Sequence, residues 1–293
     1  MAVHVVTDST SAMPADLALE FGIRVVSLIV TLGGVSVPDV EVDAEDFYRR
    51  ILATKEFPTT SQPPVALMIE ALEEPVARGD EVVVVLISAK MSGTYETALM
   101  ARDQILERHP GAVIEVVDSR SNSMEEGFAV LAAARVAKAG GTAAEAAAAA
   151  REVTGRTRWL FTVATLDYLR MGGRIGSAAA LLGSLLQIRP ILTVVDGVTS
   201  SVKSVRTHRR ALEEIAAMVA ADFESHGYID AVVHHVIAPA EGEALATLIE
   251  QRTGHRPPVR LLSASIGVHV GPGALGVVYE TRDGLHKNTK EVR

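Results

Sequence analysis

The stretch Glu81-Val82-Val83-Val84-Val85-Leu86-Ile87-Ser88-Ala89-Lys90-Met91-Ser92-Gly93-Thr94 decides how the fold is read. Glu81–Ile87 reads as a strand, a turn of small polar residues follows, and a helical pattern runs from Gly93 to Glu107. The same order repeats outward from this point. Strand-like runs at Val3–Val6, Ile23–Val30 and Val113–Val117 alternate with helical patterns near Pro14–Glu20, Ala44–Leu52, Pro64–Arg78 and Met124–Ala139. Ser123, with Glu126 three residues on, reads as a capping box for the last of these helices. Alternation of this kind predicts an α/β unit, a mostly parallel sheet with flanking helices.

The second half reads differently. An alanine-rich helix is expected over Ala143–Val153, and a break near Gly155 sets the domain boundary, giving an N-terminal domain over 1–155 and a C-terminal domain over 156–293. Strands are expected at Arg158–Ala164, Ile188–Val195 and Val198–Val205, the last two joined by Asp196-Gly197, a strong hairpin signal. A helix over His208–Ser225, a strand over Ile229–Val236, a helix over Ala240–Arg252, and strands near Val259–Leu262 and Ala274–Thr281 complete an α+β domain with a mixed or antiparallel sheet.

The totals narrow the function. Of 293 residues, 48% are apolar and 22% charged, as in a well-packed globular chain, and the net charge of −8 argues against a nucleic-acid partner. Aromatic residues make up only 4%, too few for base-stacking platforms. There is no cysteine, hence no disulfide, thiolate metal site or thiol nucleophile. The chain opens directly on a strand-like run, so a cytoplasmic protein is expected. The apolar stretch Ile175–Val195 contains Gln187, Arg189 and Pro190 and turns at Asp196-Gly197, which excludes a membrane span.

Small polar residues gather after three strands of the first domain: Thr7-Asp8-Ser9-Thr10-Ser11, Ser88 with Ser92-Gly93-Thr94, and Asp118-Ser119. In parallel sheets ligands bind at the carboxyl ends of strands, so the three clusters define one polar rim, with Ser92 at a helix start that favours an anion. Each cluster alone could simply cap its own helix. Thr59-Thr60-Ser61-Gln62-Pro63-Pro64 forms a second polar loop, with the prolines opening a helix. In the second domain, Arg206 and His208 follow a strand, and Gly267–Gly273 sets His269 in a flexible frame. Leu166–Gly176 is a glycine-rich turn that holds Arg174 at the mouth of the apolar run Ser177–Leu186, an arrangement suited to an anionic head and a greasy tail, or to a buried hairpin whose arginine pairs with a carboxylate.

Several other signals fail. Gly271–Gly276 has dinucleotide-fingerprint spacing but is followed by a strand rather than a helix. No Gly-Lys-Ser/Thr phosphate loop and no nucleophile elbow occur. His234 and His235, adjacent on a strand, point to opposite faces and cannot chelate one metal, and no metal or cofactor is expected.

Taken in order, the motifs Thr7-Asp8-Ser9, Thr60-Ser61-Gln62-Pro63, Ser92-Gly93-Thr94-Tyr95, Asp118-Ser119, Leu169–Gly176, Val205-Arg206-Thr207 and Ile266–Gly273 resemble those of the DegV family, the fatty-acid-binding proteins that serve bacterial fatty acid kinase. The resemblance covers essentially the whole chain. It implies two α/β domains with an acyl chain buried at or near their junction, and a carboxyl held by Thr60 and Ser92. It also implies supporting or partner-facing roles for Ser61, Gly93, Thr94, Ser119, Arg174, Arg206 and His269. On this reading the chain is not an enzyme. It binds a long-chain fatty acid such as palmitate, with transient contact to a membrane surface, and presents the carboxyl to a separate ATP-dependent kinase subunit. The acyl-phosphate product then goes to phospholipid synthesis. Two rival readings stand beside it: a sugar- or polyol-phosphate enzyme using the same rim with His269 or His208 as base, and a regulatory interaction domain without a ligand.

Overall fold

The computed structural model describes residues 1–54, 56–182 and 188–285. In chain order the elements are β1 (Val3–Asp8), α1 (Ala15–Phe21), β2 (Arg24–Val26), β3 (Ile29–Leu32), β4 (Val35–Pro38), α2 (Ala44–Thr54), β5 (Thr59–Ser61), α3 (Val65–Ala77), β6 (Glu81–Leu86), α4 (Thr94–Arg108), β7 (Ile114–Asp118), α5 (Ser123–Lys138) and α6 (Ala143–Val153). They continue with β8 (Thr157–Thr162), α7 (Asp167–Met171), β9 (Arg189–Val195), β10 (Val198–Val205), α8 (His208–His226), β11 (Tyr228–His235), α9 (Pro239–Thr253), β12 (Val259–Leu261), α10 (Ala264–Val270) and β13 (Leu275–Thr281). By packing, the chain forms two compact units. The first comprises Met1–Val30, Ser36–Glu41 and Thr60–Thr154, the second Thr31–Val35, Val42–Thr59 and Gly155–Arg293.

The first unit is built on a parallel sheet of order β2-β1-β6-β7. Val6, Val82, Val84, Leu86 and Val116 face α3 and α4, where Met68, Leu72, Ala98, Ala101 and Ile105 fill the core. The alternate residues Val5, Val83, Val85 and Val117 are buried as well, and α5 and α6 pack against these strands. A strand covered on both faces has no solvent side, which is why Val82–Leu86 is apolar throughout. A separate three-stranded sheet has the order β4-β3-β5.

The second unit carries a six-stranded sheet of order β10-β9-β8-β13-β11-β12, antiparallel except for the β11–β12 pair. Leu160, Val233, Val277 and Tyr279 pack against Ala211, Ile215 and Val219 of α8 and Leu245, Ala246 and Ile249 of α9. Asp196 and Gly197 both have positive φ, at 50° and 81°, the backbone that a tight two-residue hairpin requires.

The expected α/β class with a mixed C-terminal sheet is found, and three local expectations need correction. The run Ile23–Val30 is two strands, β2 and β3, in different sheets, and between them the Leu28 amide donates to Ser9 Oγ (3.1 Å) instead of to a ladder. Ser123 is no capping residue. It is the first helical residue of α5, its φ is 56°, and Glu126 turns to other partners. A true capping box stands at Thr142 and Glu145, opening α6. Finally, His269 lies in α10 and not in a flexible loop.

Candidate functional site

In the first unit the three polar clusters follow three adjacent strands, and hydrogen bonds join their turns. Ile87 N donates to Asp8 Oδ2 (3.0 Å), linking the ends of β1 and β6. Ser119 N donates to Leu86 O (3.0 Å), Ser88 N to Ser121 O (2.8 Å), and Ala89 N to Asp118 Oδ1 (3.2 Å), linking β6 and β7. Ser119 itself is buried, its hydroxyl accepting from Ser121 N at 3.2 Å, so it shapes the turn.

Ser92 sits just before α4. Its amide donates to Ser88 O (3.1 Å), and its hydroxyl lies 2.8 Å from Thr94 Oγ1 and accepts from Thr94 N at 3.3 Å. Thr94 is fully buried, leaving the half-buried Ser92 as the accessible hydroxyl of the turn. Gly93 is the N-cap residue, and its carbonyl accepts from Thr97 Oγ1 (3.1 Å). A Cβ at position 93 would lie 2.8 Å from Gln62 Cδ and 3.0 Å from Nε2, with Oε1 closer still. The absence of a side chain at Gly93 thus lets the Gln62 amide lie across the turn. The loop of Thr60 and Ser61, expected to be irregular but forming β5, is thereby brought against the turn of Ser92. Thr60 is half-buried and Ser61 exposed.

Beneath the rim lies a pair of carboxyl groups that the sequence reading missed. Asp8 and Glu126 are fully buried and share the Thr10 hydroxyl, which is 2.5 Å from Asp8 Oδ1 and 2.9 Å from Glu126 Oε2; Thr7 Oγ1 donates to Glu126 Oε1 at 3.2 Å. Thr10 has one hydroxyl proton and cannot donate to both acids, so one carboxyl must carry a proton and donate to Thr10. Burial pushes the Asp8 carboxyl up to about 6. Burial, then the Asp8 charge, raises Glu126 well above the ordinary glutamate range, which makes Glu126 the proton carrier. Nothing in local spacing announces a pair 118 residues apart.

In the second unit, Gly172 caps α7 and Arg174 follows it. Arg174 N donates to Leu169 O (2.8 Å), and its guanidinium Nη1 turns back onto Gly172 O. From α10, the His269 imidazole covers the other side of Gly172: a Cβ there would be 3.0 Å from Cε1 and closer to Nδ1. Burial, reinforced by the Arg174 charge, lowers His269 to about 4, so the ring is neutral near pH 7. Burial also lowers Arg174, in the direction of losing its proton. Two of the expected residues, Arg174 and His269, are therefore brought together. Arg206 is exposed between β10 and α8, and among the described residues no hydrogen bond or ion pair joins it to either of them. Gly176, at φ +52°, packs against the Thr199 backbone, with Thr199 N and C 3.1 Å from where a Cβ would be.

The apolar run after Gly176 begins as a 3-10 helix over Gly176–Leu181, of which only Ala178 is buried, while Met171 and Leu182 are exposed. The continuation of that run at Gly183–Gln187 lies outside the described residues. Among the described residues no group of three or more metal-binding side chains occurs, and no helix is long and apolar enough to cross a membrane.

These features can be set beside known proteins. The family described as uncharacterised protein, DegV family, matches residues 2–282. A DegV domain-containing protein of Clostridium acetobutylicum is 42% identical over 285 residues, covering 97% of this chain and all of the relative. A fatty-acid-binding DegV family protein from Thermus thermophilus superposes with a TM-score of 0.85 at 32% identity, covering 96% of this chain and 100% of that one. DegV of Bacillus subtilis, described as a fatty acid binding protein, gives 0.84 at 29% identity, over 96% and 99%. The chain belongs to the DegV family.

Proposed function

We propose that this chain binds a long-chain fatty acid, holds its carboxyl on the Thr60 and Ser92 hydroxyls, and presents it to a separate ATP-dependent kinase subunit that forms the acyl-phosphate. The product then passes toward phospholipid synthesis. One observation carries the head-group assignment: the close approach of Gln62 to Gly93, which puts the Thr60 loop against the Ser92 turn at the start of α4. Hydroxyls and a helix N-terminus suit a carboxylate, since both offer donors to negative charge. Full-length similarity to fatty-acid-binding relatives supports the ligand class.

Arg174, Arg206 and His269 are the residues we assign to orienting the head group or docking the kinase. With His269 neutral, the positive charge of this set rests on the two arginines. The sequence carries no phosphate loop of the Gly-Lys-Ser/Thr type, so the phosphoryl donor is assigned to the partner. A sugar- or polyol-phosphate enzyme with His269 or His208 as base has no observation in its favour. Burial lowers both histidines, and a base near 4 is poorly matched to neutral pH.

Burying an acyl chain is worth about 0.8 kcal/mol per methylene, so some 14 methylenes give roughly 11 kcal/mol before ordering and association costs of several kcal/mol. The protein should therefore retain a fatty acid through purification. Native mass spectrometry is expected to show that adduct. Apo protein alone, with no uptake of added palmitate, would overturn the assignment.

A further inference from the structure

Gln62 occupies an unusual place for an exposed side chain. It follows β5 and precedes Pro63 and Pro64, where proline restricts its backbone to extended conformations, and Pro63 is buried. Its amide is laid over the Gly93 Cα, within 2.8–3.0 Å of the point where a Cβ would stand for Cδ and Nε2. A carboxamide offers two donor hydrogens and one acceptor oxygen, yet Gln62 makes no hydrogen bond to any described residue. An amide so placed lies against the backbone of the turn that carries Ser92, with its donor hydrogens unused by any described residue.

We propose that Gln62 is a third head-group residue, whose Nε2 donates to the carboxylate held by Thr60 and Ser92, and that position 93 is glycine so that this amide can lie there. The inference rests on the fatty-acid reading above and deepens it. A carboxylate accepts readily from several donors, and a neutral amide adds a directed bond without adding charge. A purely packing role for Gln62 is the rival, and ligand charge separates the two. A glutamate at 62 has nearly the same shape and packs alike, but it presents a carboxylate to a carboxylate.

The test measures dissociation constants of the full-length protein for palmitate and for hexadecanol, which has the same chain without the acid. Thermal melts check the fold of each variant, and Thr60→Ala/Ser92→Ala serves as the reference. Q62A should weaken palmitate about tenfold or more, the size expected for losing one hydrogen bond to a charged group. Q62E should weaken palmitate further than Q62A, while Q62E binds hexadecanol at least as well as Q62A, since an alcohol can donate to the new carboxylate. Gly93→Ala, which pushes the amide aside, should weaken palmitate as Q62A does. Wild-type palmitate affinity in Q62A, or equal palmitate affinities for Q62A and Q62E, would overturn the proposal. Loss in the Thr60/Ser92 variant with none in Q62A or Q62E would sink this inference alone. Absence of palmitate binding by the wild-type protein would remove the fatty-acid reading itself.

Discussion

Two turns of this protein share one device and use it to different ends. In the first unit the Gln62 amide covers the Cα of Gly93; in the second the His269 imidazole covers that of Gly172. Each glycine leaves room for a polar side chain from a sequence-distant segment. The surroundings differ. At the Gly93 turn the polar side chains are neutral: the hydroxyls of Ser92 and Thr94, and the exposed amide of Gln62. Around Gly172 there is a fixed charge, Arg174, bonded to the Gly172 carbonyl, beside a half-buried and neutral imidazole. Neutral donors can hold a carboxylate that must remain reactive. A guanidinium is better suited to charge that builds during phosphoryl transfer, where electrostatic positioning supplies most of the catalysis. On the proposed function, the first turn binds and the second serves the reaction.

That division gives its largest effect in turnover. Arg206→Ala and His269→Ala should lower partner-dependent acyl-phosphate formation by on the order of tenfold or more, the size expected for loss of a charge-assisted hydrogen bond. Palmitate affinity should change little. If both variants lose palmitate in proportion to turnover, these residues are ligand anchors, and for His269 that would mean the two turns do not differ in role. Robust acyl-phosphate formation from ATP, magnesium and palmitate without any partner would break the carrier assignment.

The two glycines should also respond unequally. Gly172→Ala forces a Cβ into the half-buried His269 ring and to within 3.1 Å of the Tyr168 carbonyl oxygen, and overpacking of this kind costs about 1–3 kcal/mol. Gly93→Ala meets the flexible end of an exposed side chain, and the cost to the fold should be about 0.5 kcal/mol or less, the usual range for surface substitutions away from the core. Thermal melts compare them directly. Equal loss of stability would mean that Gln62 is as rigidly held as His269.

The units should differ in pH dependence as well, and with opposite sign. Asp8 and Glu126 are raised in the fold, so their stabilisation is complete below about 4 and is lost as pH rises through about 6 and beyond. His269 and His234 are lowered by burial, to about 4 and about 3, so their stabilisation is complete above about 6.5 and is lost as pH falls through those values. Glu126→Gln should keep the hydrogen bonds of the pair, its amide donating to Thr10 as the protonated acid does. This variant should lose less stability than the wild type as pH rises above the ordinary glutamate range. Superimposable pH–stability curves would mean that Glu126 is not the proton carrier.

Much of the fold is legible because local pattern and tertiary role agree. The apolar run Val82–Leu86 is a strand buried on both faces, Asp196-Gly197 is a tight hairpin, and Ala143–Val153 is a helix over the residues expected. The failures occur where tertiary partners override local signals. Ser9 interrupts the run Ile23–Val30 through a bond to the Leu28 amide that spacing does not reveal. Glu126, apparently a cap partner for Ser123, is claimed by Thr7 and Thr10, 119 and 116 residues away. The helix α10 was hidden by Gly267 and Gly271, which read as flexible but serve close packing against Tyr48 and Tyr168. The hydroxyl rim could be read from strand ends, whereas Gln62 over Gly93 and His269 over Gly172 join segments that only the folded chain brings together.

The central claim is that the neutral turn of the first unit holds a fatty-acid carboxyl, and its most direct test is the palmitate dissociation constant of wild type against Thr60→Ala/Ser92→Ala. Each hydroxyl bond to a carboxylate is worth roughly 1.5–3 kcal/mol, so the double variant should bind about a hundredfold or more weakly while remaining folded, with a melting point lowered only by the loss of the Ser92–Thr94 bonds. The same dissociation constant in both proteins would contradict the account and put the head group elsewhere.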